Sequence, residues 1–521
     1  MNNDALLIID LAKNFDLKEK NQQYIYLNNG NINLINCKQI KLKNFKKLRK
    51  EIYKNLIRKF KKYILDNQEK KFFLSEMEIF NLRNDRYLFP DRIINFLIIK
   101  KLLLMKKIKK IKVISDNETT LKIFDNLNLK IIKNDLTKFK YKFNFSELKI
   151  LKFLIKTFFL VFFLKFKRKT KIKFKTKNNF FMSLYPNQFF YGKQNFFYQN
   201  ENICNFLLSD ETHLNFDLKE LFFIANITKK KNIINLEEYI EISDILLLFL
   251  KRFIYIITFK NLKIKNINFI DSDLRNELED IYMSSYVNRS KLEIYSKAIP
   301  RFLKNNNVSS INLYLFEYSF GFYLLRKIKN YSNKIKIFGF QHGIFSDNLM
   351  WFDLINSLQH KKVYFPNEIF CLNKYSLKDY KSKYKNIKIS IMKNIKNSKN
   401  QDFIKGIKIN KKSNKILILA GLHDIKDIYF YVKNKLTFKS KKIYYFKQHP
   451  KNKFVLDIDR RIKKIENFKN IFFSNLIVSQ DSSLHYEFLN SNREFSVIDL
   501  DYKQNHISTL LNKNKRITFL K

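Results

Sequence analysis

The feature that most constrains this chain is the repeated alternation of short apolar runs with longer segments of helical periodicity. Residues 5–9, 111–114 and 443–446 have the length and composition of buried strands. Residues 45–65 carry apolar side chains at helical spacing, and Leu484–Asn490 follows two serines that suit a helix start. Because strands that alternate with helices pair as parallel sheets, this pattern predicts an α/β protein.

The length of the chain predicts more than one domain. At 521 residues it exceeds the size of an ordinary single core. Two blocks of alternation, joined near residue 370, predict two facing Rossmann-like domains with a cleft between them. We expect residues 1–370 to form the first domain, with a helical insertion at about 146–300 that also contains a strand at 178–186, and residues 371–521 to form the second. Within the second we expect a connector at 378–400 and a helix at 458–465.

Polar side chains follow several of the predicted strands. Glu317, His342, His423 and His449 each stand at or just after the end of an apolar run. In parallel sheets, ligands bind in the crevice outside the carboxyl ends of the strands. These residues are therefore the first candidates for a functional site.

The segment DSSLHYEF places two hydroxyls before a predicted helix. Ser482 and Ser483 would donate to a phosphate at the helix start, and Glu487, one turn later, would accept from ribose hydroxyls. The alternative is plain capping, because serine is a preferred residue at the start of any helix.

Three histidine loops accompany that segment. In FKQHP, the proline restricts His449 to an extended backbone, so its imidazole can face the cleft and donate to a phosphate or base. In GFQHG, His342 is of the residue type that titrates near neutrality and could act as a base. Gly421 and His423 occupy a third loop that we expect to line the same sheet edge. The alternatives are a loop histidine at 449 and a buried, hydrogen-bonded histidine at 342.

The order of these motifs resembles a known group of enzymes. Glu317, strand-QHG, strand-GxH, strand-KxHP and SSxxxE, spread over residues 311–500, resemble the GT-B glycosyltransferases of bacterial surface-polysaccharide synthesis. The relatives in question are capsule Kdo transferases, sialyl- and polysialyltransferases, CDP-glycerol glycerophosphotransferases and the group called surface carbohydrate biosynthesis proteins. The acidic motif of the sialyltransferases has no recognisable counterpart, and the acidic pair in SEMEIF at 75–80 is the nearest.

The resemblance implies an inverting transfer from a nucleotide-activated sugar, with a CMP-linked donor as one candidate. It implies that His449, Ser482 and Ser483 hold the nucleotide, and that the acceptor is a lipid-linked or growing surface glycan. Glu317 or His342 would be the acceptor base. No cofactor and no metal is implied, although the Asp-x-Asp pair Asp499 and Asp501 stays open as a metal-ligand alternative.

The strong positive charge has two explanations. Lys and Arg number 101 against 47 Asp and Glu, a formal net charge of +54. The abundance of Lys, Asn, Ile and Phe is typical of an AT-rich genome, but selection for an anionic phospholipid surface is the alternative. A nucleic-acid-binding protein would gather its basic residues on one surface, whereas here they are dispersed, so we expect no nucleic-acid partner.

Two apolar segments bear on membrane attachment. Residues 153–169 are interrupted by lysines and predict either an interfacial helix or a buried core helix. Residues 245–259, with Lys251 and Arg252 at the centre, are expected to belong to the core. The first residues lack the basic start of a signal peptide, so we expect a cytoplasmic protein. Because hydrophobic and basic signals combine in residues 153–169, we expect this segment to attach the protein to the inner face of the cytoplasmic membrane.

Two other functions remain open from the sequence. The chain could keep the fold as a non-catalytic scaffold, in which case the cleft histidines would be dispensable. It could also be a basic nucleic-acid-binding protein, although the dispersed lysines argue against this function.

Overall fold

A computed structural model describes most of the predicted elements. With gaps inside them, the described ranges are 5–67, 89–135, 146–167, 178–184, 202–257, 291–345, 365–392 and 403–520. Of the predicted site residues, His342, His423 and Ser483 lie outside the described residues, as does the acidic pair at 75–80.

The first sheet has five parallel strands in the order β5-β3-β1-β6-β7. A separate parallel pair, β2 with β4, accompanies it. The strands are β1 Ala5–Asp10, β2 Lys18–Lys20, β3 Gln23–Tyr26, β4 Asn33–Ile35, β5 Lys38–Gln39, β6 Lys110–Ser115 and β7 Lys130–Asp135.

The second sheet has seven parallel strands in the order β10-β9-β8-β11-β12-β13-β14. Its strands are β8 Asn178–Leu184, β9 Asn202–Phe206, β10 Ile233–Asn235, β11 Val308–Tyr314, β12 Lys336–Phe340, β13 Glu368–Cys371 and β14 Lys388–Ile391.

The third sheet has six parallel strands in the order β18-β17-β16-β20-β21-β22, and β15 pairs with β19 beside it. The strands are β15 Lys408–Ile409, β16 Lys415–Leu419, β17 Ile443–Lys447, β18 Ile462–Lys464, β19 Phe472–Phe473, β20 Asn475–Val478, β21 Phe495–Ile498 and β22 Ile517–Leu520.

All three sheets are wound in the same way. In each sheet, the strand that comes first in the chain lies in the interior of the sheet. The next two strands of that sheet in chain order lie on one side of it, and the later strands lie on the other side. The winding direction therefore reverses between β1 and β6, between β8 and β11, and between β16 and β20. Such reversal points leave a crevice at the carboxyl ends of the two strands, where ligands of α/β proteins bind.

Helices connect many of these strands. The α-helices are α1 Phe45–Asn67, α2 Phe89–Lys106, α3 Ser146–Lys167, α4 Ile242–Ile257, α5 Tyr295–Asn305, α6 Ser319–Tyr331, α7 Lys374–Lys383, α8 Ile425–Tyr431, α9 Leu484–Asn490 and α10 Thr509–Asn512. A 3-10 helix covers Leu236–Tyr239, and Val432–Leu436 continues α8 as a π-helix. In the described part of the chain, no helix is long and apolar enough to cross a membrane.

The cores explain why the strands are so apolar. One large buried cluster contains Ile8 of the first sheet and Ile311 of the second, so these two sheets share a core. The third sheet is buried on both faces, with Leu417 in one cluster and its neighbours Ile416 and Ile418 in another. Parallel sheets covered on both faces need continuous apolar strands rather than alternating ones.

The prediction of an α/β protein with parallel sheets is confirmed. The expected strand at 178–186 is confirmed as β8, and the segment 146–300 also supplies β9 and β10 to the seven-stranded sheet, which were not predicted, together with α3 and α4. That sheet also continues through β14, beyond the expected boundary near residue 370. The domain limits themselves stay a prediction.

Two local predictions in the second half were wrong. The expected connector at 378–400 contains the end of α7 and strand β14. The expected helix at 458–465 contains strand β18 instead. Ile458, Ile462 and Ile465 have helical spacing, but Ile462 is buried in the sheet because β18 pairs with β17. Long-range pairing has overridden the local pattern.

Candidate functional site

Two strand-end loops meet where the winding of the six-stranded sheet reverses. Gly421 follows β16, and Ser479 and Gln480 follow β20. The buried Asp424 joins them: its carboxylate accepts from the Gly421 N–H at 3.2 Å, the Ser479 hydroxyl at 2.7 Å and the Gln480 N–H at 3.0 Å. Because one carboxylate holds both loops, their relative position is fixed before any ligand binds.

Gly421 is required by this close approach. A Cβ atom at this position would lie 2.3 Å from the Ser479 Oγ and 2.8 Å from the Asp424 Oδ1. A side chain there would push the Ser479 hydroxyl and the Asp424 carboxylate out of their hydrogen-bonded positions. The close approach of Ser479 and Asp424 explains why a glycine occupies position 421, and this approach could not be seen in the sequence.

Ser482 acts as a local cap in this structure. Its hydroxyl accepts from the Leu484 N–H at 3.2 Å, and its carbonyl accepts from the His485 N–H at 3.3 Å. The helix that follows, α9, has seven residues, and its Glu487 is buried. The observed contacts of Ser482 are therefore those of a helix cap, which was the alternative to phosphate binding. Contact of Ser482 with phosphate, and of Glu487 with ribose, stays a prediction.

His449 is the most accessible of the predicted site residues that the structure describes. It follows β17 and is exposed, while the preceding Gln448 donates from its side-chain amide to the Phe454 carbonyl at 2.9 Å. β17 lies next to β16 in the sheet, so His449 stands beside the Gly421 loop along one edge. An exposed imidazole there can reach a bound ligand.

Glu317 lies at the equivalent edge of the seven-stranded sheet, just after β11, and only 3% of it is exposed. Its carboxylate accepts from the Tyr380 hydroxyl at 2.5 Å. Burial, and next the charge of Glu317, raise the pKa of Tyr380 well above its usual range, so this tyrosine stays a donor. Such burial favours a positioning role for Glu317 over the role of acceptor base.

Gln341, in the QHG motif, also has a structural role. Its side-chain oxygen accepts from the Leu372 N–H at 3.1 Å, and its own N–H donates to the Phe370 carbonyl at 3.0 Å. Gln341 thus joins the ends of β12 and β13. Sequence reasoning stressed the adjacent His342 and missed this glutamine, although its place at a strand end was the available signal.

A buried polar cluster connects the two edges. The Tyr486 hydroxyl of α9 donates to the Asp379 Oδ2 of α7 at 2.7 Å, and the Ser508 hydroxyl donates to the Asp379 Oδ1 at 2.8 Å. The Phe345 N–H, three residues after His342, donates to the Tyr486 hydroxyl at 3.2 Å. The loop that carries QHG therefore contacts the helix that follows the two serines.

This contact brings together segments that sequence reasoning expected to share a cleft. Asp379 and Tyr486, which hold them, were not predicted, because nothing local in the sequence marks a long-range hydrogen bond. His485 has no exposed surface and stacks on Phe495, with ring centroids 5.2 Å apart, so it belongs to the core.

The described residues contain no group of three or more His, Cys, Asp or Glu side chains that could hold a metal ion. Comparisons with protein-family models, with curated proteins and with solved structures found no match to this chain.

Proposed function

We propose that this protein is a glycosyltransferase of surface-polysaccharide synthesis that uses a nucleotide-activated sugar. The observation that carries the proposal is the reversal point between β16 and β20, where the Gly421 loop and the loop after β20 are held together by Asp424. A crevice at such a point is where α/β proteins bind nucleotides. The exposed His449 on the neighbouring strand supplies a donor for phosphate or base.

The proposal includes the GT-B arrangement, in which two Rossmann-like units face each other. The six-stranded sheet would bind the donor, and the edge of the seven-stranded sheet near Glu317 and Gln341 would bind the acceptor. The contacts of Tyr486 with Asp379 and Phe345 support this, since they join the QHG loop to the donor side. The sequence resemblance points to the same arrangement.

In the proposed reaction, a base removes the proton from an acceptor hydroxyl as that oxygen attacks the anomeric carbon of the donor. The bond between that carbon and the nucleotide phosphate breaks, and the phosphate leaves with the electron pair. We assign the base to His342 and a positioning role to Glu317, because Glu317 is buried and holds Tyr380. His449 would stabilise the negative charge that develops on the leaving phosphate.

The acceptor would be a lipid-linked or growing glycan, and the enzyme would act at the inner face of the cytoplasmic membrane. A non-catalytic scaffold is the second candidate. The observation that favours it is the burial of two predicted site acids, Glu317 and Glu487.

An activity assay separates these functions. The protein is incubated with CMP-, UDP- and GDP-linked sugars and with glycolipid extracts, and released nucleotide is measured. We expect one donor class to be consumed, and His342→Ala to lower turnover about 100-fold or more, the usual contribution of a general base. Donor consumption that is equal in wild type and His342→Ala would remove the base assignment, and no consumption of any donor would favour the scaffold.

A further inference from the structure

Helices α3 and α4 pack against each other, and each contributes only one side to the protein core. From α3, the side chains of Ile150, Leu154 and Leu164 belong to the large core cluster. From α4, Ile245 belongs to it, and Leu248 packs against it in a partly buried position. The opposite sides of both helices therefore point away from the same core.

These outer sides are strongly apolar. Both helices repeat large hydrophobic residues at spacings of three and four, which places them on one face. Each of these side chains is 47–74% exposed, and they are Leu148, Ile155, Phe159, Phe162 and Phe166 on α3 and Leu246, Leu247, Leu250, Phe253, Ile254 and Ile257 on α4. We call this set the outer face of the helix pair.

The prediction that residues 245–259 form a core helix is therefore wrong for most of the segment. Its buried charged residue, Arg252, donates to Glu293 at 2.9 Å, which lets a charge lie on the inner side while leucine and isoleucine face outward. In the described part of residues 153–169, one side of the helix is buried in the core and the other is exposed. The core-helix alternative therefore fits the first side, and the interfacial-helix alternative fits the second.

Basic residues border the outer face. Lys149, Lys152, Lys156 and Lys165 of α3 are exposed, and so is Lys251 of α4. The acidic Asp244 at the start of α4 is buried and paired with Arg301 and Lys297. Lys251 is paired with Glu293 at 3.6 Å, and the exposed Glu241 is paired with Arg301 at 3.2 Å, so the excess positive charge beside the apolar side chains comes from the lysines of α3.

We infer that the outer face of α3 and α4 is a docking surface for an anionic phospholipid bilayer. Helices with Phe and Leu on one face and lysines beside them lie at the boundary between headgroups and acyl chains. Lysines near an anionic leaflet add an attraction that salt weakens. A protein partner fits less well, because lysine is depleted from protein–protein interfaces. This inference adds the attachment surface to the membrane location in the proposed function, and it is carried by the two helices whether or not the protein transfers sugars.

Co-sedimentation with vesicles tests the surface one helix at a time. The full chain is mixed with vesicles of phosphatidylcholine alone and with vesicles that also contain phosphatidylglycerol. We expect Phe159→Gln with Phe162→Gln on α3, and Leu247→Gln with Leu250→Gln on α4, each to weaken binding at least about tenfold, because each removes two side chains from the acyl region.

The charge contribution is tested with Lys152→Gln and Lys165→Gln. Each should weaken binding to the phosphatidylglycerol vesicles about fivefold, and neither should change binding to phosphatidylcholine alone. Matched controls lie elsewhere on the surface: Val455→Gln with Leu510→Gln for exposed apolar residues, and Lys411→Gln with Lys412→Gln for exposed lysines. These should bind like wild type.

Two results would overturn the inference. One is that the α3 and α4 variants bind vesicles as tightly as the controls do. The other is that wild type binds no vesicle but forms a dimer in solution that the apolar variants dissociate, which would assign the outer face to a second copy of the chain. Unchanged melting temperatures would show that the variants are folded, which is expected because the altered side chains are exposed.

Discussion

The carboxyl edges of the seven-stranded and six-stranded sheets differ in how far their described polar residues are exposed to solvent. At the seven-stranded sheet, Glu317 and Gln341 are buried, and both accept hydrogen bonds from the protein. At the six-stranded sheet, Gly421 and Ser482 are partly exposed and His449 is exposed. A polar residue at a strand end is therefore not by itself a ligand site, and accessibility decides between the two roles. We call the carboxyl edge of the six-stranded sheet the open edge.

The largest effect is expected in the cluster that connects the two edges. Asp379→Ala leaves the Tyr486 and Ser508 hydroxyls without their shared acceptor. Two hydrogen bonds to a charged group are lost, so the free energy of unfolding should fall by about 3–5 kcal/mol. Tyr486→Phe removes one of them and also the acceptor of the Phe345 N–H, so it should lower the free energy of unfolding by about 2–4 kcal/mol in urea unfolding. Equal, small effects of both variants would mean that this cluster does not hold the edges together.

A second effect depends on pH and concerns Glu237, which follows β10 of the seven-stranded sheet. Burial raises the pKa of Glu237 to about 7 from 4.5, although hydrogen bonds from Tyr295, Leu207 and Leu208 oppose the shift. The folded protein therefore holds this proton more tightly than the unfolded chain does. The stability that it contributes is complete below about pH 4.5 and is lost as pH rises to about 7, on the order of 3 kcal/mol.

Glu237→Gln has no such proton to lose. The free energy of unfolding of Glu237→Gln minus that of wild type should therefore be larger at pH 8 than at pH 5, as measured by urea unfolding at both values. The same difference between the two proteins at both pH values would show that Glu237 keeps its charge when folded.

A smaller effect is expected at the open edge. Gly421→Ala forces a Cβ against Ser479 and should reduce the free energy of unfolding by about 1–3 kcal/mol, the usual cost of overpacking. Gly406→Ala is the matched control, because a Cβ there would lie 3.9 Å from Phe468, an ordinary contact distance. Equal melting temperatures of the two variants would contradict the close approach of the two loops.

Much of the strand framework could be predicted, because buried parallel strands are short apolar runs and these are visible locally. β1, β6 and β17 lie within one residue of the predicted runs, and α9 has the predicted bounds. The strands that were not predicted depend on pairing with other segments of the chain. β14 and β18 are strands because they pair with β13 and β17, and their own sequences do not indicate this.

The same limit applies to the candidate site. Residue type and strand ends pointed to Glu317 and His449 alike, but only tertiary packing buries the first and exposes the second. Asp424, which organises the open edge, was not selected from the sequence, because an aspartate at the start of a helix is common. The outer side of α4 shows the same difficulty, since an apolar helix is equally compatible with core and surface until its neighbours are known.

The most direct test of the account is nucleotide binding at the open edge. Calorimetric titration with CMP, CDP, UDP and GDP is performed on wild type, His449→Ala and Glu317→Gln. We predict that at least one nucleotide binds wild type, that His449→Ala weakens it about tenfold or more through loss of a hydrogen bond to a charged group, and that Glu317→Gln leaves it nearly unchanged. If no nucleotide binds wild type, or if His449→Ala binds as tightly as wild type, the open edge is not the donor site.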